Sequence, residues 1–432
     1  GQSIDAEIVA SGGDTINHMA FNDNFQEKLF YATGSKNNNW NWAVTQLDTG
    51  TSRIHSVSTA LTTSNEPVVA YAGGDNLDLR IAQHMGGTWH YQIVDSARNV
   101  GFTDMEISPG DTIHIVYYDD NEDCLKYAWR HASDSAWFYD YVDCGNQPVG
   151  LYPSLELDAQ EQPAVAYFDE YAQNLKYAVR NPATRAWNID SVYDAGASAV
   201  GKFVSLELGP GDQPMLAFLE EQSTSIYYAE RNLAGLWDVT VVDSLPVSNI
   251  GRPIDLEVDG FGNPWIAYNF YTNFDKVKLV RRDSATWNEV AVSSTGRIAN
   301  AFDFAILGGD LYITGKKNEV QNSGVGMLYA GGGLFVEAPE PTLLSETTEI
   351  LNYPNPFSSG TTFRIESEKA QVLSLHVYDL YGKKVATVLE ERKLSAGNHE
   401  FYYDANGLAP GIYLYEVTDG ISRMVHKLVI SN

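Results

Sequence analysis

Acidic residues recur at one position of a repeated segment, and carboxylates gathered in this way can bind cations. In each copy the position follows a short run such as Val165-Ala166-Tyr167. Copy by copy, the closing residues are Asp23, Gly73, Asp119, Asp169, Glu220, Phe270 and Lys316. Like charges on one face attract a cation or a basic partner, and Ca²⁺ suits such a site because its ligands are oxygens. The candidates for this predicted binding face are Asp23, Asp119, Asp169, Glu220 and Phe270. The alternative is a solvated acidic rim without a ligand.

A repeated Val/Ile-Gly pair supplies a second group of candidates. The pairs are Val100-Gly101, Val149-Gly150, Val200-Gly201 and Ile250-Gly251. We expect the glycines to form turns in loops on the same face. The residues after them vary (Phe102, Leu151, Lys202, Arg252), so they are free to contact a ligand. Lys202 and Arg252 are therefore added to the binding-face candidates.

No catalytic or metal-binding motif accompanies these residues. The nine histidines form neither HxH nor HExxH, and no Ser/His/Asp set follows from spacing. The turns before Trp89, Trp137 and Trp287 lack the Ser-x-Asp-x-Gly order of the sialidase Asp-box. We therefore predict a protein that binds without catalysing a reaction. The alternative is a secreted polysaccharide hydrolase or lyase, which a convergent pair of acids in a central pocket would favour.

Net charge narrows the choice of partners. The chain has 28 basic and 56 acidic residues, a net charge of −28. This excess argues against nucleic acids and anionic membranes, and it permits cations, basic proteins or neutral glycans. No apolar run is long enough to span a bilayer. The chain begins GQSIDAEIV, as expected of a mature secreted protein.

A repeat of about 50 residues must position the candidate face. Each copy reads as four short strands, and the fourth opens with tryptophan in six copies: Trp42, Trp89, Trp137, Trp187, Trp237 and Trp287. Four-stranded repeats of this length are typical of β-propellers. We predict an all-β chain with a seven-bladed β-propeller over residues 1–338. The repeat is similar to SLxLDxxxxPxIAYxDxxxxxLKYA repeats of bacterial extracellular propellers, which implies the fold and no particular activity.

Another domain follows a Pro-Glu-Pro linker. Pro339 and Pro341 mark a stiff linker at 339–349. Residues 350–432 contain six or seven short strand patterns with turn signals between them, which predict a small Ig-like β-sandwich. This part has 8 basic and 9 acidic residues, so the first 349 residues account for −27 of the charge.

The C-terminal part resembles the type A C-terminal sorting domain of the type IX secretion system. The residues that carry the resemblance are Asn352-Tyr353-Pro354-Asn355-Pro356-Phe357, Val377-Tyr378-Asp379, Gly382, Ala396-Gly397, Leu408-Ala409-Pro410-Gly411-Ile412-Tyr413 and Lys427-Leu428-Val429-Ile430. The resemblance implies contact with the type IX machinery and export to the surface or exterior of a Gram-negative cell. A surface protein or a glycan is then the expected partner of the propeller face.

The two cysteines are expected to form a disulfide. Folding the hairpin of Leu125–Arg130 with Trp137–Val142 places Cys124 opposite Cys144, within bonding reach. A disulfide implies an oxidising compartment, in agreement with secretion. The alternative is a pair of buried thiols.

Overall fold

The chain folds into two compact all-β units, Gly1–Phe335 and Val336–Asn432, in a computed structural model. The structure describes residues 4–431 except 24–27, 39, 41, 48–53, 146, 195–199, 221–223, 233, 245–249, 272–274, 284, 293–297, 309, 319–322, 331–347, 368–370, 379–383, 406 and 419–422. The predicted linker 339–349 lies almost wholly outside this part of the chain. The predicted domain boundaries stay predictions.

The first unit contains six four-stranded antiparallel sheets in chain order. Sheet 1 has β1 (Ile4–Ser11), β2 (Asp14–Asp23), β3 (Lys28–Ser35) and β4 (Ala43–Gln46), with a short 3-10 turn at Lys36–Asn38. Sheet 2 has β5 (Ile54–Leu61), β6 (Pro67–Gly73), β7 (Asp78–Met85) and β8 (Thr88–Asp95). Sheet 3 has β9 (Val100–Ile107), β10 (Thr112–Asp119), β11 (Cys124–His131) and β12 (Phe138–Cys144).

The next sheets repeat the same order of strands. Sheet 4 has β13 (Val149–Leu157), β14 (Pro163–Asp169), β15 (Asn174–Arg180) and β16 (Trp187–Tyr193). Sheet 5 has β17 (Val200–Gly209), β18 (Gln213–Glu220), β19 (Ser225–Arg231) and β20 (Trp237–Ser244). Sheet 6 has β21 (Ile250–Val258), β22 (Pro264–Tyr271), β23 (Asp275–Asp283) and β24 (Thr286–Val292). In every sheet the first strand is the inner one.

Sheet 7 closes the circle against sheet 1. Its described strands are β25 (Ile298–Leu307), β26 (Asp310–Asn318) and β27 (Ser323–Ala330). Asn17 Nδ2 donates to Thr314 Oγ1 at 2.6 Å, and Lys36 Nζ lies 2.9 Å from Asp310 Oδ2. Inner strand β25 lies beside both β21 and β1. The circle of sheets confirms the β-propeller, and it closes by contact between its first and last sheets. In the seventh copy the sequence places Leu334-Phe335-Val336 where the other copies have the tryptophan-opened fourth strand, and this segment falls outside the described residues.

Small residues and tryptophans recur because sheets crowd near the axis and diverge away from it. The alanines in the middle of the second strands are fully buried: Ala20, Ala70, Ala166, Ala217 and Ala267. Four of the six tryptophans contact a tyrosine of the preceding sheet edge-on. The ring-centroid distances are 5.0 Å for Tyr31–Trp89, 5.5 Å for Tyr127–Trp187, 5.3 Å for Tyr177–Trp237 and 5.2 Å for Tyr228–Trp287. The repeated residues thus fill the space between sheets.

Inner strands β13 and β17 begin at Val149 and Val200, before Ser154 and Ser205, where the SLxLD part of the repeat starts. Val149 already pairs with Asp169, and the register then shifts twice before Ser154. These β-bulges hide the alternation of buried and exposed residues, which is why the segment resembles a loop. The prediction that Lys202 and Arg252 lie in loops is therefore wrong, since β17 and β21 include them.

The glycines of the Val-Gly pairs allow close packing rather than a loop turn. Gly150 and Gly201 have φ of 101° and 103°, a region that disfavours side chains. A Cβ on Gly150 would lie 2.4 Å from Leu125 Cβ, and one on Gly201 would lie 2.8 Å from Leu175 Cβ. Each glycine thus lets an inner strand approach the third strand of the preceding sheet.

The disulfide prediction is confirmed. Cys124 and Cys144 are opposite each other in the pairing of β11 with β12, with Cα atoms 4.5 Å apart. The pairing register shifts between Leu125 and Lys126, so the cysteine pair is offset by one residue from the pairs in the rest of the hairpin.

The second unit consists of two antiparallel sheets. One contains β28 (Thr348–Tyr353), β29 (Gly360–Ser367) and β32 (Gly397–Asp404), in that spatial order. The other has the order β31 (Lys384–Leu394), β30 (Gln371–Tyr378), β33 (Gly411–Thr418) and β34 (Arg423–Ile430). Phe363 of the first sheet and Leu375 and Val417 of the second share one apolar core.

Gly150→Ala should destabilise the propeller by roughly 1–3 kcal/mol, because the new methyl group meets Leu125 in addition to the strained backbone. Gly211→Ala is the matched control, since Gly211 has φ of 76° with nothing within 4 Å of the added Cβ. Urea unfolding followed by tryptophan fluorescence measures both variants. Equal shifts of the two midpoints would show that packing against Leu125 contributes nothing.

Candidate functional site

The predicted acidic face is buried at three of its positions. Asp119, Asp169 and Glu220 close second strands, as predicted, but are only 1%, 7% and 5% exposed. Solvated carboxylates were expected there. For Asp119 and Asp169 the burial follows from lysine partners on the third strands, which the prediction did not consider.

Lys126 and Lys176 neutralise the buried aspartates. Lys126 Nζ lies 2.5 Å from Asp119 Oδ2 and 3.0 Å from Glu122 Oε2. Lys176 Nζ lies 2.7 Å from Asp169 Oδ2 and 2.9 Å from Asp143 Oδ2. These lysines belong to the repeated LKYA segments, so the lysine–aspartate pairs could have been predicted from the sequence.

The lysines also join neighbouring sheets. Asp143 lies near the end of the fourth strand of sheet 3, whereas Lys176 and Tyr167 belong to sheet 4. The Tyr167 hydroxyl donates to Asp143 Oδ2 at 2.8 Å. The same arrangement joins sheets 5 and 6. There Asp243 accepts from the Tyr268 hydroxyl at 2.5 Å and from Lys278 Nζ at 2.8 Å. These carboxylates hold sheets together.

The other candidates are only partly described. Asp23, Phe270 and Arg252 lie at strand positions, but their side chains are outside the described part of the structure. Lys202 is half-buried, with Nζ 5.5 Å from the centroid of the Phe168 ring. A ligand at this face stays a prediction. Ca²⁺ also stays a prediction, and among the described residues no group of three or more His, Cys, Asp or Glu side chains is arranged to hold a metal ion.

Around the axis, a side chain of each of the first six inner strands accepts a hydrogen bond from the backbone of the next inner strand. Asp104 Oδ2 accepts from Leu155 N at 2.7 Å, and Ser154 Oγ accepts from Leu206 N at 3.0 Å. The six links in chain order are Asp5–Thr59, Ser58–Met105, Asp104–Leu155, Ser154–Leu206, Ser205–Leu256 and Asp255–Phe304. They join sheets 1 to 7 in sequence and satisfy backbone N–H groups at the inner edges.

Two residues further along, the same faces of five inner strands carry glutamates. They are Glu7, Glu106, Glu156, Glu207 and Glu257; Ala60 and Ala305 hold the position in sheets 2 and 7. These side chains are only partly exposed to solvent. This cluster was not predicted from the sequence. Its signal is the Asp/Ser-x-Glu pattern that recurs in inner strands.

Burial and crowding alter the acidity of these carboxyls. Burial raises the pKa of Glu7 to about 7. Burial, and then neighbouring carboxylates, raise the pKa of Glu156, Glu207 and Glu257 well above the usual range. The pKa of Asp104 rises to about 6 because burial outweighs the hydrogen bonds that it accepts. The axis therefore accumulates carboxyl groups that hold protons near neutral pH.

The sorting motif joins two distant segments of the second unit. Asn355 Nδ2 donates to Lys427 O and Asn355 Oδ1 accepts from Val429 N, both at 2.9 Å. Phe357 is 4% exposed in the core, and its N–H donates to Val429 O at 3.1 Å. Pro354 and Pro356 flank Asn355.

Other motif residues lie in the four-stranded sheet. The Tyr378 hydroxyl donates to Glu416 Oε1 at 3.2 Å. Gly411 begins β33, and the hydroxyl of Tyr413 donates to Ala409 O at 2.9 Å. Asp379 and Gly382 are outside the described residues.

Sequence comparison identifies the C-terminal unit. Residues 352–431 match the family described as the secretion system C-terminal sorting domain. The protein is thus a β-propeller followed by a sorting domain, which directs it to the surface or exterior of a Gram-negative cell. Among curated proteins, none matches this sequence. The described residues contain no helix with the length and apolarity needed to cross a membrane.

Solved structures similar to the chain include propeller lectins. A fungal lectin from Aleuria aurantia, described as a six-bladed β-propeller with a novel mode of fucose recognition, has 14% identity and a TM-score of 0.44, over 67% of this chain and 95% of the lectin. AofleA from Arthrobotrys oligospora has 12% identity and a TM-score of 0.46, over 68% and 86%. A protein of unknown function from Dyadobacter fermentans has 11% identity and a TM-score of 0.47, over 63% and 93%. Such distant likenesses carry no argument about ligand or activity.

The axial carboxyls should make stability depend on pH. Their folded pKa values exceed the ordinary 4.5 of glutamate, so the folded state binds more protons than the unfolded state. The unfolding free energy should therefore fall as pH rises from about 4.5 through about 7. Glu156→Gln should raise the unfolding free energy at pH 8 by on the order of 1 kcal/mol, because glutamine cannot ionise, and should have less effect at pH 5.

Glu170→Gln is the matched control in the same sheet, since Glu170 is exposed. Urea unfolding midpoints at pH 5 and pH 8 provide the comparison. If both variants behave alike at the two pH values, the axial carboxyls do not control this dependence.

Proposed function

We propose that this protein is a non-catalytic binding or scaffold protein that the type IX machinery exports by contacting residues 350–432. The match of residues 352–431 to the sorting domain is the observation that carries the proposal. The propeller is then the part presented outside the cell, with a surface protein or a glycan as its partner. Its net charge favours an uncharged or cationic partner.

A seven-bladed propeller is part of the proposal. Six sheets have four strands, and sheet 7 has three described strands in the same succession. Sheet 7 bonds to sheet 6 through Phe304 N and Asp255, and to sheet 1 through Thr314 and Asn17. Both contacts support counting it as a blade. The shared core of the C-terminal sheets supports an Ig-like β-sandwich.

The contacts of the acidic residues support binding over catalysis. Asp104 and Asp255 accept backbone N–H groups of the next sheet, and Asp143 binds a lysine and a tyrosine hydroxyl. Carboxylates held in this way stabilise the fold.

One observation favours the alternative, a secreted polysaccharide hydrolase or lyase. The axial glutamates converge, and their raised pKa values suit a general acid. Glu156 and Glu207 are the residues that this alternative would use.

Removal of residues 350–432 should leave a folded propeller in the periplasm, because each unit has a core of its own. Asn355→Ala should reduce export in the full chain, since it removes hydrogen bonds to Lys427 and Val429. Tyr402→Ala is the control, because Tyr402 is 68% exposed. Protease accessibility on intact cells measures surface delivery. Normal delivery of the truncated chain would refute the sorting role.

The full-length protein should bind isolated cell envelopes or immobilised polysaccharides and release no new reducing or unsaturated chain ends. Binding is measured by sedimentation or retention, and cleavage by assays for both kinds of chain end. Glu156→Gln should leave binding unchanged. Cleavage that disappears in Glu156→Gln would establish the hydrolase or lyase instead.

A further inference from the structure

Three aromatic side chains from neighbouring sheets form a row beside the axis. Phe102, Tyr152 and Phe203 lie near the beginnings of inner strands β9, β13 and β17. The centroid of the Tyr152 ring is 4.4 Å from that of Phe102 and 4.4 Å from that of Phe203, with interplanar angles of 47° and 54°. All three side chains are partly exposed, so part of the row is in contact with solvent. Phe203 also packs against the apolar core shared by sheets 5 and 6.

The backbone holds two of these rings in an unfavourable conformation. Tyr152 and Phe203 have φ of 52° and 54°, a region that bulky residues rarely adopt. Both follow the glycine of a Val-Gly pair, in the bulged part of an inner strand. Such strain persists where surrounding structure fixes it, and it gathers at ligand sites.

Polar loops border the row. The loops after the second strands reach back to the segments before the inner strands: Asp120 N donates to Asn99 O, and Glu170 N donates to Pro148 O, both at 3.2 Å. Asp120 and Glu170 are exposed. Their carboxylates can accept hydrogen bonds from hydroxyl groups, and they repel anions.

We propose that this aromatic row is the stacking subsite for a pyranose ring of an uncharged glycan. The apolar face of the sugar would cover the rings, while its hydroxyl groups face the polar loops. The proposal rests on the proposed binding function and names its ligand class. It places the subsite at the beginnings of the inner strands, where Val100 and Val149 pair with the buried Asp119 and Asp169.

The test uses the full-length chain on an array of neutral, sialylated and sulfated oligosaccharides, with a lysine-rich peptide as a separate probe. Calorimetry then gives the affinity for the best neutral oligosaccharide. Tyr152→Asn removes the ring and keeps a residue that tolerates positive φ, so it should fold and bind about tenfold or more weakly. Tyr152→Phe retains the ring and should bind like the unaltered chain.

Phe261→Ala is the matched control, because Phe261 is 91% exposed in the turn between β21 and β22, at the other end of its sheet. Its affinity should not change. Melting curves report whether each variant folds, and Phe203→Ala repeats the test if Tyr152→Asn does not. Neutral glycan binding that these ring-removing variants weaken, with Phe261→Ala unaffected, supports the subsite.

Three results overturn it: preference for anionic glycans, binding of the peptide alone, or glycan affinity unchanged without the rings. Envelope binding that survives Tyr152→Asn would refute the subsite and leave the proposed function intact. Absence of all envelope and glycan binding would refute both.

Discussion

The structure depends on satisfying the inner edges of its sheets. An inner strand has a neighbour on one side only, so its other edge presents N–H groups without a ladder partner. Here an Asp or Ser side chain of one sheet accepts an N–H group of the next, in six successive links from sheet 1 to sheet 7. Each link fixes the distance between neighbouring inner strands, and the wider spaces outside them are filled by the tyrosine and tryptophan rings.

Crowding around the axis has electrostatic consequences. The acceptors and the glutamates beside them face one another, so protons stay bound where isolated carboxyls would lose them. Farther from the axis, Lys126 and Lys176 neutralise buried aspartates that would otherwise carry unpaired charges. The acidic residues are thus divided between axial carboxyls of raised pKa, lysine-paired carboxylates between sheets, and an exposed remainder.

Much of the fold could be predicted because its signals are local. The strands were predicted from the repeated tryptophans and LKYA segments, and the disulfide was predicted from the pairing of residues in one hairpin. In the C-terminal unit, six or seven strands were predicted, and the structure has seven described strands, β28 to β34. The bulges before Ser154 and Ser205 could not be predicted, because two residues there oppose one and the alternation of buried and exposed side chains is lost.

The burial of Asp119 was missed because only equivalent positions in different copies were compared, whereas its partner Lys126 lies on the next strand of the same hairpin. The aromatic row was missed because it forms only when three sheets meet.

The links between inner strands also bear on how such a chain can change length. In sheets 2 to 6, the inner strand takes part in two links: its Asp or Ser side chain accepts from the next sheet, and its backbone N–H donates to the preceding one. A duplicated or deleted repeat of about 50 residues would therefore leave no link incomplete. Because the N–H half belongs to the main chain, the residue that carries it can vary without losing the bond. Gene duplication could thus alter the number of sheets, with the curvature of the circle as the remaining geometric constraint.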